Sequence, residues 1–154
     1  MPNDLEFKIY LKGFEEHLKD VNIAQERLDD LSKPLSVTAK YMLRRIDTGF
    51  KDSQDPYGRE WQDISDLTII TRKKNKKIDQ PLVDTGALRR SFSSEVGQDY
   101  LTIGSDNETA EEHQYGFENI PRRMMIPVSD IGLPDLWSKK ALRELTNYLL
   151  RDKY

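Results

Sequence analysis

Leu82-Val83-Asp84-Thr85-Gly86-Ala87-Leu88-Arg89-Arg90-Ser91-Phe92 is the stretch on which the fold turns. It has two readings. If Asp84-Thr85-Gly86 is a catalytic loop between strands, the chain is all-β and two copies bring their aspartates together to share a proton. If Asp84 or Thr85 caps a short helix opening at Gly86, the carboxylate is favoured by the helix N-terminus and the segment is structural. Context decides between them. Largely helical patterning precedes the stretch, and Leu88-Arg89-Arg90-Ser91 keeps a helical character. The structural reading therefore stands, and with it a mixed helix and sheet fold.

Nearer the N-terminus, Leu5, Phe7, Ile9 and Leu11 alternate with Asp4, Glu6, Lys8 and Lys12, the period of a half-buried strand over residues 4 to 12. Phe14, Leu18, Val21, Ala24, Leu28 and Leu31 then recur at helical spacing. Ser32 and Pro34 suit a stop and restart, with Ser32 as a cap. A second helix carries Leu35, Ala39, Met42 and Ile46 and ends near Gly49. Residues 51–63 are turn-rich yet hold Tyr57 and Trp61, which should pin the loop to the core. Ser65 or Asp66 caps a short helix through Thr71, and Arg72 to Lys77 reads as a solvated basic loop. Beyond Ser91 the pattern is a hairpin: Phe92, Ser94 and Val96, a turn at Gly97-Gln98-Asp99, then Leu101 and Ile103 up to Gly104. Glu108 to Tyr115 reads as a short helix stopped by Gly116, and Pro121 to Pro127 as an extended connection. A last helix from Pro134-Asp135 carries Leu136, Leu142, Leu145 and Leu149. The expected fold is α+β: N-terminal amphipathic helices packed on an antiparallel β-sheet, with a C-terminal helix closing it. No repeat or linker divides the chain, so residues 1–154 are read as one domain.

Charged residues make up 33% of the 154, well above the usual quarter, which reserves much surface for solvent or partners. The formal net charge of -3 supplies no global attraction to nucleic acid or an anionic membrane. With no cysteine, disulfides and thiolate metal sites are excluded. The first residues lack the pattern of a signal peptide, and no apolar run approaches membrane-span length. A soluble protein made in a cytoplasm is expected.

The Asp84-Thr85-Gly86 triplet matches the signature of retroviral-type aspartic proteases, but in a helical context that the protease fold does not have. His17 and His113 stand far apart, and Glu111-Glu112-His113 lacks a second histidine at ligand spacing, so no metal or cofactor is expected. No phosphate-binding glycine loop or nucleophile elbow is present. The 72–77 run could touch phosphates but holds no aromatic for base stacking, so direct nucleic-acid contact is not expected. Arg122-Arg123-Met124-Met125 has two open readings: a protein interface, where Arg and Met are enriched, or a strand whose methionines face the core.

Four segments in order resemble one known family. They are Phe50 with Asp55-Pro56-Tyr57-Gly58-Arg59-Glu60-Trp61; Leu82 to Phe92; Ile103-Gly104-Ser105 leading to His113-Gln114-Tyr115-Gly116; and Ile120-Pro121-Arg122-Arg123. This order is similar to the phage virion morphogenesis family, the tail completion proteins of Mu-like and related contractile-tailed phages and prophages. The resemblance covers about residues 35 to 150. It departs from the family pattern at Thr109 to Glu112, where an aromatic and an alanine usually precede His-Gln, and at Met124 and Met125, where Pro and Phe often stand. It implies a non-enzymatic structural role in tail completion or head–tail joining, with other tail and neck proteins as partners. A homo-oligomeric ring in the virion, assembled in the host cytoplasm, would use the charged surface and the Arg/Met segment. In this reading Gly86, Gly104 and Gly116 mark sharp turns. Trp61, Phe92 and Tyr115 bury apolar area at the helix–sheet junction, Leu88 belongs to the same motif, His113 and Gln114 bond to backbone, and Asp84 caps.

Overall fold

A computed structural model describes residues 5–10, 27–75, 77 and 79–150. Its elements in chain order are β1 (Leu5–Tyr10), α1 (Ser32–Asp52), α2 (Asp66–Lys74), α3 (Ala87–Arg90), β2 (Phe92–Val96), β3 (Tyr100–Ser105), α4 (Ala110–Tyr115) and α5 (Asp135–Leu150). The fold is α+β. The amphipathic helix expected from Phe14 lies outside the described residues as far as position 26, as does His17; Arg27 and Leu28 are helical.

The three strands form an antiparallel sheet in the order β1-β3-β2. The alternating pattern sets the register. Phe7 and Ile9 lie opposite Ile103 and Leu101, so one sheet face is continuously apolar. On the central strand Leu101 and Ile103 are fully buried. The other face is polar, with Lys8 over the Tyr100 ring at 4.6 Å and the Tyr100 hydroxyl donating to Glu95 at 2.7 Å. Gly104 belongs to β3 and makes no turn, contrary to the sequence reading. It is opposite Glu6 and Ser93, and an added Cβ would fall 2.6 Å from the Leu5 carbonyl oxygen. The constraint there is close approach of two strands, not a bend.

The apolar face is covered by α1, which also packs on α5. Leu35, Ala39, Met42, Ile46 and Phe50 recur at spacings of three and four and are all buried. Ser32 does not cap this helix. Its own N–H donates to the Asp30 carboxylate at 2.9 Å, and Leu31 occupies the cap position with its N–H on the Gln98 carbonyl of the β2–β3 turn. The helix runs through Gly49 to Asp52 and ends at Ser53, which is left-handed. In α5 the buried residues are Trp137, Leu145 and Leu149, whereas Leu136 and Leu142 are exposed. Trp137 and Leu145 are eight apart and so share a face, which the leucine pattern alone misplaced.

Residues 53–61 close into a small loop on the end of α1. The Trp61 N–H donates to the Ser53 carbonyl at 2.7 Å, and Asp55 accepts the N–H groups of Tyr57 and Arg59 together with Arg59 Nε. As expected, the aromatics pin this loop. Trp61 is buried edge-on against Phe50, with ring centroids 5.4 Å apart, and its indole donates to the Met124 carbonyl at 2.9 Å. The Tyr57 hydroxyl donates to Gly132 O and accepts from Val128 N–H.

An alanine at position 104 should force β1 away from β3. Gly104→Ala is expected to lower unfolding free energy by about 1–3 kcal/mol. Ser94→Ala, on the exposed part of β2, should change it by less than about 0.5 kcal/mol. Urea denaturation of both variants checks this, and equal stabilities would contradict the close-approach account.

Candidate functional site: a cleft lined by the sequence motifs

The sequence segments that carried the resemblance meet in space. Ile103 leads through Ser105 to α4, and α4 ends at Gly116, where φ is 80° and the chain reverses. The Gln114 side chain is fully buried and makes three backbone contacts: its amide nitrogen donates to Ile126 O at 2.7 Å, and its oxygen accepts Met125 N–H at 2.7 Å and Ile126 N–H at 3.2 Å. A primary amide offers one donor group and one acceptor on the same plane, so it can imitate the edge of a strand. Residues 123–128 thus cross the core with no neighbouring strand among the described residues, and this one side chain satisfies three of their backbone groups. The Arg123 N–H donates to the His113 carbonyl at 2.7 Å, which fixes the same crossing from the other side.

This crossing bears on the two readings of Arg122 to Met125. Arg123, Met124 and Met125 are buried within the chain, and Arg122 alone of the four is exposed. Arg123 is held by the carbonyls of Gln62 (Nε, 2.7 Å) and Asp63 (Nη2, 2.9 Å), so the Trp61 loop and the crossing segment lock each other. Tyr115 is 55% exposed, so it does not bury area at the helix–sheet junction. Phe92 is partly buried against Phe50, 5.8 Å between centroids.

The Asp84-Thr85-Gly86 turn is structural in outline and different in detail. Gly86, with φ at 75°, opens α3 in a left-handed conformation, and the Thr85 hydroxyl accepts the Ala87 N–H at 3.2 Å. Asp84 does not cap. Its carboxylate lies 2.7 Å from Lys77 Nζ, a full charge that outcompetes a backbone N–H for it. That bond lowers the Asp84 pKa, with help from the charges of Lys77 and Arg72. Leu88 is buried, and Arg89 reaches Asp47 on α1. Ser91 donates to the Leu88 carbonyl at 2.6 Å; its single proton being used there, Ser105 donates to Ser91 across 2.6 Å. Ser65, one of the two proposed caps, accepts Thr68 N–H, but α2 continues to Lys74, so the first half of the supposed basic loop, Arg72 to Lys74, is its last turn.

Between α2, the Thr85–Leu88 turn, α4 and Arg123 lies a cleft of about 250 Å³. Ile64, Leu82 and Leu88 give it apolar walls, and Arg72, Asp84, His113 and Arg123 bring charge or hydrogen-bonding capacity to it. The His113 Nδ1 is buried and has no hydrogen-bond partner among the described residues. Burial, then the charge of Arg123, lowers its pKa, against a smaller opposing effect of Glu112. Among the described residues no three His, Asp or Glu side chains converge as a metal site requires. No described helix is long and apolar enough to cross a membrane. The resemblance in sequence had named His113, Gly86 and Thr85, but nothing in it placed Arg72 opposite them.

The profile of the phage virion morphogenesis family matches residues 11–134, and the chain belongs to that family. Its role is accordingly in the assembly of phage particles. A protein of Escherichia phage Mu, provisionally named capsid assembly protein G, is 30% identical over 105 residues, covering 63% of this chain and 67% of the relative. No solved structure matches the chain.

Two outcomes test the site's construction. Gln114→Leu should leave two N–H groups and a carbonyl unsatisfied in the core and cost roughly 2–4 kcal/mol in urea unfolding. Tyr115→Ala beside it should cost under about 1 kcal/mol; comparable losses would contradict the clamp. His113 recovers an ordinary pKa near 6.5 on unfolding. Because its folded value is lower, the unfolded chain binds more protons as pH falls through that window, and stability declines. Unfolding curves from pH 7 to about 5 should therefore fall more steeply for the wild type than for His113→Gln. Parallel curves would contradict the burial of a neutral imidazole.

Proposed function

We propose that this protein is a non-enzymatic structural component that completes the tail or joins it to the filled head. It acts as a homo-oligomeric ring with other tail and neck proteins, and residues 1–154 form one morphogenesis domain. It is made in the host cytoplasm and retained in the virion. Family membership supports this reading, and so does one structural observation: the motif residues are spent on packing and backbone bonding. Trp61 serves Met124, Gln114 serves Met125 and Ile126, and Arg123 serves Gln62 and Asp63. A name pointing to capsid assembly in the Mu relative is compatible with a position where head and tail meet.

The protease alternative loses its support at Asp84. A catalytic pair requires two carboxylates close enough that one is held protonated. Asp84 is instead paired with Lys77, which favours its ionised form. The nucleic-acid alternative relied on a free basic loop at 72–77, whereas Arg72 to Lys74 close α2 and Lys77 is bound to Asp84.

Deleting the gene from an inducible phage and imaging the lysate tests the proposal. Tailless heads and unjoined tails are expected, with infectivity restored by the wild-type gene and equally by Asp84→Asn. Normal numbers of intact infectious particles, or failure of Asp84→Asn to restore them while the protein remains folded, would contradict it.

A further inference from the structure

The cleft between α2, the Thr85–Leu88 turn and α4 carries a surplus of positive charge. Arg123 is 6% exposed, yet among the described residues no carboxylate lies within ion-pair distance of it. Its Nε and Nη2 donate to carbonyl oxygens, which carry only partial charge, so the guanidinium remains a buried, uncompensated cation. Arg72 adds a second guanidinium to the same cleft, donating to Gln80 O, and the one carboxylate there, Asp84, is neutralised by Lys77. Burial and the nearby Arg72 both pull the Arg123 pKa below its ordinary value, with a smaller opposing pull from Asp63. The unpartnered Nδ1 of His113, on the same cleft, also lacks a bonding group. One anionic acceptor would serve both Arg123 and His113.

We propose that this cleft receives the carboxylate of a single Asp or Glu side chain from a partner protein in the particle; the partner's nature rests on the assembly role above. The apolar walls at Leu82 and Leu88 suit the methylenes of such a side chain, and about 250 Å³ holds one side chain and little more. A polynucleotide does not fit the same surroundings. Asp106, Glu108, Glu111 and Glu112 are all exposed around the start of α4, next to the cleft residues Asn107 and Thr109, and would repel a polyanion along its length. One carboxylate entering between two guanidiniums meets that repulsion only once, and gains charge-assisted hydrogen bonds.

The test is a nuclear magnetic resonance titration of the full chain with sodium acetate at constant ionic strength, chloride being the balancing anion. Saturable shifts are expected at the amides of Thr85 to Leu88, at Arg123 Nε–H and at the His113 ring, whose proton uptake moves to higher pH. Arg72→Gln, in which α2 should persist, is expected to weaken acetate roughly three- to tenfold. N-acetylglutamate amide should bind more tightly than acetate, because its methylenes cover the apolar walls. No saturable shift, shifts unchanged in Arg72→Gln, or a glutamate derivative no tighter than acetate would overturn the proposal. Displacement of acetate by duplex DNA at far lower concentration would overturn it in favour of nucleic acid. The titration uses the isolated chain, so its failure would remove the carboxylate receptor while the deletion phenotype still judges the assembly role.

Discussion

The Gln114 amide is the constraint on which the rest of this structure depends. A segment that crosses a core in extended form must satisfy its N–H and C=O groups, and residues 123–128 have no adjacent strand among the described residues to do so. Gln114 supplies the missing edge with one donor and two accepted bonds. That fixes where α4 stands, and α4 is short enough that its position is set by this bond rather than by helix propensity. Gly116 then reverses the chain so that Arg123 can return to the His113 carbonyl.

From this crossing the remaining loops take their places. Met124 offers its carbonyl to Trp61, and Arg123 takes the carbonyls of Gln62 and Asp63, so a loop that follows α1 is welded to a segment some sixty positions later. Each weld is a side chain bonding to backbone. Such contacts specify geometry without demanding a particular residue at the other end. The same economy leaves Arg123 buried with carbonyl partners only, and Asp84 turned outward to Lys77.

Much of the fold was legible in the sequence because its signals were local. Alternation placed β1, β2 and β3, and three- and four-residue spacing placed the buried face of α1. Trp61 was legible as an anchor because two aromatics in a polar loop have few other uses. The misreadings share a cause: the deciding partner was distant in sequence or belonged to another chemical type. Asp84 reads as a cap until Lys77 is seen beside it. The burial of Arg123 was not legible because its carbonyl partners, at Gln62 and Asp63, carry no signature. In α5 the leucines pointed to two faces, and Trp137 chose between them by packing near Phe7, 6.4 Å between ring centroids. Helix α2 outran its expected end because Arg72, Lys73 and Lys74 continue a helix well and complement its C-terminal dipole. The cleft itself was not legible, since it needs Arg72, Thr85, His113 and Arg123 to meet from four separate segments.

A chain whose most distinctive residues are committed to its own backbone is suited to be a fixed part, positioned by its neighbours and rigid enough to position them. Cohesion of this kind, and the pairing of Asp84 with Lys77, fit the assembly role of its family. The most direct test of the account is an electron cryomicroscopy reconstruction of the mature particle with this chain located in the density. The account predicts copies arranged as a closed ring at the junction of tail and head. Density for the chain dispersed through the head shell, or its absence from the particle altogether, would contradict it.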